Sequence, residues 1–462
     1  MGRRKKNIRR YKSSTSRTQK PAVAPILTRA DEVIANVKAF GDRPVVGAEI
    51  GVLRGETSKA LLEACPNLTL IMVDKWCPSE PDTPHYQTGS AFATLDPERF
   101  DMYKRKAHHH VAQFMLEGRV KIIESPSLDA VKKVKNKSLD FVFIDGDHSY
   151  EGCKADIEAW NKKVKPGGFL CGHDYGSERF PGVKQAWDES YPNLTVGDHK
   201  VVFADIPYKK VRAVTVVFDY PGTDVYSTVL QAWENSIKTN MPNAIAEIIR
   251  LGPPKPDPDE RRTRHISNAL KSRAWEKIVS EAIETGSKDD LLLMDCDTIV
   301  LRDISNMFMH DFDIALTHRY GAMVHTSREP INTGVVAVRP NKKSLEFFKQ
   351  LTKAVDYLFD NPDIHHTYWE HYRGIQQSAL GYVIENTDEM KLNVKLFPCK
   401  YYNASPTNEY QDMGSEARVM HLQNVMRKMV DQDEDNTGRR SRQLEIFKKY
   451  AGGSDELARD IS

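Results

Sequence analysis

Short apolar runs alternate with stretches of helical periodicity along the first half of the chain. The apolar runs occupy residues 44–50, 68–74, 120–124 and 139–144. Apolar residues recur at helical spacing over 28–40 and 150–163. Uninterrupted apolar runs are typical of strands that are buried on both faces of a sheet. Because strands and helices alternate at this spacing, we predict an α/β fold with a parallel, doubly wound sheet of the Rossmann-like type.

A second series of strands and helices begins after residue 208. Strands are predicted at 211–218, 246–250, 291–294, 313–317, 331–338 and 394–398. Helices are predicted at 224–238, 268–285, 344–359 and 372–380. The proline-rich residues 251–258 exclude a helix or a central strand there. The predicted segments are a basic disordered tail (1–27), a first α/β domain (28–208), a second α/β domain (209–430) and a polar C-terminal tail (431–462).

The composition is that of a globular protein with more than one domain. A chain of 462 residues, 40% of them hydrophobic and 28% charged, exceeds a typical single core. The 66 basic and 64 acidic residues leave a net charge of +2, so no overall field favours a nucleic-acid partner. The basic residues at the very start are followed by polar residues and not by an apolar h-region. We therefore expect a solvated tail and not a secretory signal.

The cysteines and the hydropathy bear on the compartment. The 6 cysteines are scattered and form no C-x-x-C pair, which favours reduced thiols over disulfides or a zinc site. No apolar stretch approaches the length of a membrane span. We therefore expect a cytoplasmic protein without a membrane span. The sequence does not define an oligomeric state.

Glycines, acids and histidines follow the predicted strands of the first domain. Gly51 and Gly55 let the backbone turn tightly and approach a ligand between a strand and a helix, and Glu49 stands just before that turn. Asp74 ends the second strand, where nucleotide-binding folds place an acid on ribose hydroxyls. The chemistry-bearing residues after the later strands are Ser125, Asp145, Asp147, His148, His173 and Asp174. These positions predict a ligand site at the carboxyl edge of the sheet.

The motif E-x-G-x-x-x-G, the acid after the second strand and a P-G-G turn resemble the class I S-adenosylmethionine-dependent methyltransferases. The text I-D-G-D-H-S-Y-E and G-H-D-Y is similar to that of metal-dependent sugar O-methyltransferases, which include macrolide and aminocoumarin methyltransferases. The resemblance covers about residues 30–205. It implies that S-adenosylmethionine binds at Glu49, Gly51, Gly55, Asp74 and Ser125.

The same resemblance implies a cation on Asp145, His173 and Asp174, with Asp147 and His148 as catalytic residues. A cation that bridges a vicinal diol lowers the pKa of the hydroxyl, and a nearby base then takes the proton. His173 stands where the sugar methyltransferases carry an acid. Because imidazole is a poorer ligand for magnesium than a carboxylate, the metal requirement of this site stays open.

The apolar run 291–294 ends at Asp295 and Asp297, a D-x-D at the tip of a predicted buried strand. Paired carboxylates at such a position suit a hard divalent cation, which in turn binds a diphosphate. The alternative is a polar exit from the strand, because aspartate is also a common turn residue.

The succession of elements over about residues 211–428 resembles the GT-A glycosyltransferases of the glycogenin and lipopolysaccharide galactosyltransferase type. The resemblance implies a cation on Asp295, Asp297 and His421, and the histidine favours Mn²⁺ over Mg²⁺. Lys271 would contact the diphosphate of a nucleotide-sugar donor, expected to be a UDP-sugar, and the N-x-G-V element would meet its sugar. The expected substrate-binding residues are Asp219, Lys271, Asn332 and Gly334.

One position departs from that family. An Asp-Gln pair near the anomeric carbon reads Gln376-Gln377 here, and we retain both as catalytic candidates. We expect a bifunctional glycan-modifying enzyme that transfers a methyl group from S-adenosylmethionine to a sugar hydroxyl and a glycosyl group from a nucleotide sugar to a glycan acceptor. The alternative is a methyltransferase whose second domain is a catalytically weak, glycan-binding module.

Overall fold

The computed structural model describes residues 28–90, 93–219, 225–253, 260–319, 331–372, 374–386, 391–404, 416–422 and 439–451. The predicted N-terminal tail lies outside these residues, as do most of the proline-rich loop and most of the C-terminal tail. Within the described residues, no helix combines the length and the apolar character that crossing a membrane requires.

The first domain is a seven-stranded sheet in the order β3-β2-β1-β4-β5-β7-β6. Strands β1 to β5 pair in parallel, whereas β7 is antiparallel to both β5 and β6. The strands are β1 (Val45–Ile50), β2 (Leu68–Asp74), β3 (Val120–Glu124), β4 (Leu139–Ile144), β5 (Val164–Gly172), β6 (Thr195–Val196) and β7 (Val202–Asp205). The helices are α1 (Arg29–Lys38), α2 (Glu56–Ala64), α3 (Pro84–Gln87), α4 (Pro97–Leu116), α5 (Ser127–Ala130), α6 (Tyr150–Asn161) and α7 (Pro181–Ser190).

The central strand β4 shows why this sheet forms. All of its residues are buried, because a hydrophobic cluster covers each face of the sheet. On one face Phe141 and Phe169 stack on each other with ring centroids 5.6 Å apart. On the other face the buried indoles of Trp160 and Trp187 pack over the strands. The doubly wound sheet predicted from the apolar runs is confirmed, with an added antiparallel edge formed by β6 and β7.

The second domain has a six-stranded mixed sheet in the order β14-β12-β13-β10-β8-β9 and a two-stranded sheet β11-β15. Its strands are β8 (Val211–Phe218), β9 (Ala244–Leu251), β10 (Asp290–Met294), β11 (Thr298–Val300), β12 (Ile314–His318), β13 (Ile331–Val338), β14 (Val394–Pro398) and β15 (Val419–His421). Its helices are α8 (Val225–Asn240), α9 (Glu260–Glu284), α10 (Lys342–Asp360), α11 (Pro362–Tyr372), α12 (Ile375–Asn386), α13 (Cys399–Tyr402) and α14 (Arg439–Tyr450).

Two helical predictions in this domain were incomplete. The helix predicted at 268–285 begins earlier, at Glu260, and the helix predicted at 372–380 spans Ile375–Asn386. Helix α11 was not predicted at all. Its sequence P-D-I-H-H-T-Y-W-E-H-Y buries His365 and packs Ile364 and Tyr368 against the core, but polar residues and histidines outnumber these apolar contacts.

A buried polar contact joins the two domains. Asp205, at the end of β7, accepts hydrogen bonds from Nε and Nη2 of Arg302 at 2.8 and 2.5 Å. Nη2 of Arg418 lies 3.3 Å from the same carboxylate, and Arg302 also donates to the side chain of Asn36 on α1. Arg302 follows β11 and Arg418 precedes β15. The first domain therefore anchors both strands of the small sheet.

Candidate active sites

A cavity of about 630 Å³ opens at the carboxyl edge of the first sheet. Parallel strands bring their carboxyl ends to one edge, which explains why residues far apart in the sequence meet here. The predicted site residues in its wall are Gly51, Asp74, Ser125, Asp145, Asp147, His148, His173 and Asp174. Arg29 and His85 also line it and were not predicted.

The turn after β1 is built around Asp74. Its Oδ2 accepts the backbone N–H groups of Val52 and Leu53 at 2.9 and 2.8 Å, and its Oδ1 accepts that of Trp76 at 2.7 Å. Gly51 has a φ of 89°, and a Cβ there would lie 2.2 Å from the carbonyl oxygen of Asp145. The acid predicted to meet a ribose therefore also fixes the glycine turn.

Two predicted cofactor residues lie behind the cavity wall. Gly55 adopts a φ of 77° at the start of α2, where a Cβ would lie 3.0 Å from the Cα of Ala107. Glu49 is buried and accepts a hydrogen bond from the hydroxyl of Ser58. Burial raises the pKa of Glu49 to about 8, from its usual value of 4.5.

The raised pKa of Glu49 predicts a pH-dependent stability. The folded state holds the proton on the Glu49 carboxyl more tightly than the unfolded state does. The stability that this protonation contributes is therefore complete below about pH 4.5 and is lost as the pH rises to about 8. Relative to Glu49→Gln, the wild type should lose roughly 3–5 kcal/mol of unfolding free energy across this range. Urea unfolding at several pH values measures the difference. Glu63→Gln, an exposed change on α2, is the control, and parallel curves for wild type and Glu49→Gln would refute the prediction.

Two carboxylates and two imidazoles form a cluster at the ends of β4 and β5. Single ligand atoms of Asp145, His148 and Asp174 all lie within 4.8 Å of one another. Nε2 of His148 is 3.0 Å from Asp174 and 3.7 Å from Asp145. Nδ1 of His173 is 3.1 Å from Asp174 and 3.4 Å from Asp145. The candidate cation group therefore contains His148, predicted as catalytic, beside Asp145 and Asp174, whereas His173, the predicted ligand, contacts the same two carboxylates from outside that group.

The charges of this cluster are balanced within the protein. Burial disfavours a charged imidazole, but Asp145 and Asp174 outweigh it and raise the pKa of both His148 and His173 to about 9. Nη1 of Arg29 lies 2.9 Å from Asp145. Because a metal-bound histidine must be neutral, binding a cation here would release protons.

Asp147 points away from that cluster. Its Oδ1 accepts the backbone N–H and the hydroxyl of Ser149 at 2.8 and 2.6 Å, and it lies 3.7 Å from Nδ1 of His85 on α3. Burial lowers the pKa of His85, so its imidazole is neutral at pH 7. His85 belongs to the loop after β2. Neither it nor Arg29 carries a motif, so sequence spacing gave no signal for them.

The second cluster lies in the second domain, where Asp295, Asp297 and His421 each offer a ligand atom within 4.8 Å of the others. Nε2 of His421 is 3.2 Å from Asp297 and 3.7 Å from Asp295. The pairing of β11 with β15 places Thr298 opposite His421 and so brings the histidine beside the D-x-D. Burial opposes the charge on His421, but the carboxylate of Asp297 outweighs it and raises the pKa of His421.

Lys271 and Gln376 lie near this cluster. Lys271, on α9, is bonded to the carboxylate of Asp295 and stands 4.5 Å from the ring centroid of Trp275. Gln376 is buried on α12, and its amide donates to the hydroxyl of Ser272 at 3.1 Å. Helix α9 therefore carries both Lys271 and the hydrogen-bond partner of Gln376. Gln377 is partly exposed on α12.

The remaining predicted substrate residues have structural partners. Asn332 is buried, and its Oδ1 accepts the N–H of Gly334 at 2.7 Å. The carbonyl of Gly334 accepts the N–H of Asp295 at 2.9 Å. Asp219 is exposed and paired with Arg250 at 2.7 Å. Asn332 and Gly334 therefore border the cluster from β13.

Both clusters fit a divalent cation by their chemistry. Each combines carboxylate oxygens with imidazole nitrogen at convergent positions, a donor set that suits first-row divalent metals such as Mn²⁺. Each of the two α/β domains therefore carries one such cluster, and the chain has two separate candidate sites.

Comparisons with known proteins agree with this division. Residues 48–175 match a family described as methyltransferase domain, and residues 263–426 match one described as nucleotide-diphospho-sugar transferase. The chain therefore joins a methyltransferase domain to a nucleotide-diphospho-sugar transferase domain. This confirms the two resemblances stated from the sequence and the α/β class of both domains.

Two solved structures illustrate the likeness. One is a glycosyltransferase involved in the glycosylation of the major capsid of PBCV-1, with 15% identity, 51% of this chain and 98% of that chain covered, and a TM-score of 0.33. The other is the O-methyltransferase NovP, with 18% identity, coverage of 39% and 79%, and a TM-score of 0.32. No curated protein matches the chain.

Proposed function

We propose that the protein is a bifunctional glycan-modifying transferase. One domain would move a methyl group from S-adenosylmethionine to a sugar hydroxyl, and the other would move a glycosyl group from a nucleotide sugar, expected to be a UDP-sugar, to a glycan acceptor. The observation that carries the proposal is the presence of two carboxylate-imidazole clusters, one in each domain, each at the end of central strands.

In the first domain the glycine turn and the cavity beside it would hold S-adenosylmethionine. We expect Asp74 to meet a ribose hydroxyl, since nucleotide folds use an acid at this position. The sulfonium supplies an electrophilic methyl group, which an acceptor oxygen attacks. Asp147 and His148 line the same cavity. Asp147 is the candidate for taking the hydroxyl proton, whereas His148, whose pKa Asp145 and Asp174 raise to about 9, would already be protonated at pH 7.

In the second domain Asp295, Asp297 and His421 would hold Mn²⁺ or Mg²⁺. Such a cation neutralises the charge of a leaving nucleoside diphosphate. Lys271 is close enough to Asp295 to add a second positive charge on the same phosphates. Gln376 and Gln377 offer amides and no acid, so transfer would rest on stabilising the leaving group.

A second candidate function follows from Gln376. Its amide is buried and bonded to Ser272, so the side chain is held by its neighbours. A domain that binds a nucleotide sugar or a glycan without turning it over is consistent with that arrangement. The two candidates differ in a single observable quantity, the consumption of donor.

Mass spectrometry of the purified full chain tests the proposal. The protein is incubated with S-adenosylmethionine, a panel of nucleotide sugars, Mn²⁺ or Mg²⁺, and oligosaccharide acceptors. The expected products are acceptors that gain a glycosyl residue and acceptors that gain a methyl group. Methylated acceptors without donor consumption would favour the second candidate, and no product of either kind would overturn the proposal.

A further inference from the structure

A buried asparagine that no motif marks holds the histidine of the second cluster. Nδ1 of His421 lies 2.9 Å from Oδ1 of Asn403, which follows α13. Nδ2 of Asn403 lies 2.7 Å from Oδ1 of Asn332 and 3.0 Å from the hydroxyl of Thr317. All four residues are buried, with at most 5% of each exposed. The ring of His421 is therefore fixed by a closed polar network.

The backbone sets the direction of every hydrogen bond in this network. The atom of Asn332 that faces the N–H of Gly334 must be its oxygen, because a backbone N–H can only donate. The atom of Asn403 that faces this oxygen must then be its amide nitrogen. Its oxygen is left to face His421. A neutral His421 consequently carries its hydrogen on Nδ1 and keeps the lone pair of Nε2 toward Asp297.

Gly334 makes room for this contact. A Cβ on Gly334 would lie 2.5 Å from Nδ1 of His421 and 2.9 Å from Oδ1 of Asn403. Its N–H also fixes the amide of Asn332. The N-x-G element predicted to meet the donor sugar thus has a second task, which is to orient the imidazole beside the D-x-D.

We propose that Asn403 is a positioning residue of the second cation site. It selects the tautomer of His421 and holds Nε2 on Asp295 and Asp297, as partners of metal-bound histidines commonly do. The inference rests on the proposed function, because it requires these three residues to bind a divalent cation. Asn403 itself touches neither cation nor substrate.

The test measures Mn²⁺ binding to the full chain by electron paramagnetic resonance, without nucleotide sugar. Asn403→Ala should raise the dissociation constant about 10- to 100-fold, the usual effect of losing such a partner. Thr317→Val removes a hydroxyl of the same buried network and does not touch His421. The hydroxyl donates to the carbonyl of Asn332 and accepts from Nδ2 of Asn403, so the substitution removes two hydrogen bonds, neither of them to His421. It should change the constant less than about fivefold, because each neutral hydrogen bond contributes only modestly to stability and the contact between Asn403 and His421 is kept.

A second variant guards against a folding defect. Asn403→Asp keeps an oxygen against Nδ1 of His421, whereas its second oxygen replaces the amide nitrogen and loses the hydrogen bond to Oδ1 of Asn332. It should bind Mn²⁺ more tightly than Asn403→Ala, and its Co²⁺ absorption spectrum should keep the wild-type shape.

Equal Mn²⁺ affinity for wild type and Asn403→Ala overturns the positioning role alone. Because the cluster of Asp145, His148 and Asp174 can also take Mn²⁺, the number of bound ions is counted for each variant. Absence of Mn²⁺ binding to the wild type, or a number of bound ions that Asp297→Ala leaves unchanged, overturns the cation site of the second domain and the inference with it.

Discussion

Replacing Asp205 by alanine is expected to lower the unfolding free energy by about 3–5 kcal/mol, the usual cost of leaving buried charge without its partner. Burial would raise the pKa of Asp205, but the guanidinium groups of Arg302 and Arg418 outweigh it and lower that pKa, so the carboxylate is ionised at pH 7. Arg302 and Arg418 are 2% and 1% exposed, and the substitution would take the carboxylate of Asp205 away from both buried guanidinium groups.

Because Asp205 belongs to the first domain and both arginines to the second, the loss of unfolding free energy should affect both domains. Scanning calorimetry of the full chain measures it, since a chain with two domains need not unfold in one step. We expect the main transition to move down by roughly 10 °C. The Mn²⁺ affinity of the second cluster should also fall, because Arg302 and Arg418 flank the strands that carry Asp297 and His421.

An exposed ion pair of the same chemistry provides the control. Arg273 and Asp356 lie 2.6 Å apart with side chains 51% and 47% exposed. Asp356→Ala should cost about 0–1 kcal/mol, as surface pairs do. If Asp205→Ala shifts the transition no further than Asp356→Ala does, the interdomain contact contributes little and the domains are independent.

The strands could be predicted because each contains a short apolar run, and several of these runs end at an acid or a glycine. The predicted bounds of β2, β3, β4, β8, β13 and β14 are those of the structure. Helix α11 was missed because its apolar side chains at helical spacing are few and stand among histidines and polar residues. The antiparallel edge strands β6 and β7 were missed because they are too short to carry a pattern.

The two clusters were foreseen from motifs, but their surroundings were not. Arg29 stands on α1, 144 positions before His173, its neighbour in the folded chain. Asn403 precedes His421 by 18 positions and lies in no motif. Such contacts depend on how elements pack, and a single sequence holds no local signal for them. The sequence likewise predicts Gly334 only as part of a motif that meets the donor sugar. In the structure, the absence of a side chain at Gly334 makes room for His421.

Asp297→Asn and Asp145→Asn should separate the two proposed activities. Losing a cation ligand removes several kcal/mol of transition-state stabilisation, which corresponds to about 10³-fold in rate. Asp297→Asn should therefore reduce nucleotide-sugar turnover by about this factor and leave methyl transfer within about twofold, because the two clusters share no residue and lie in separate domains. Asp145→Asn should reduce methyl transfer to a similar extent and spare nucleotide-sugar turnover.

Both activities are measured on the same samples, as release of nucleoside diphosphate and as formation of S-adenosylhomocysteine. Asp356→Asn, a change outside both clusters, is the matched control and should alter neither rate.

A variant that lost both activities with its calorimetric transition unchanged would mean that the domains share one catalytic site, contrary to the proposal. If Asp145→Asn left methyl transfer intact, the cluster of Asp145, His148 and Asp174 would hold no catalytic cation. Asp145 would then be a structural partner of Arg29. The crossed pattern is expected because the cavity at the edge of the first sheet and the D-x-D cluster are built from separate strands of separate sheets.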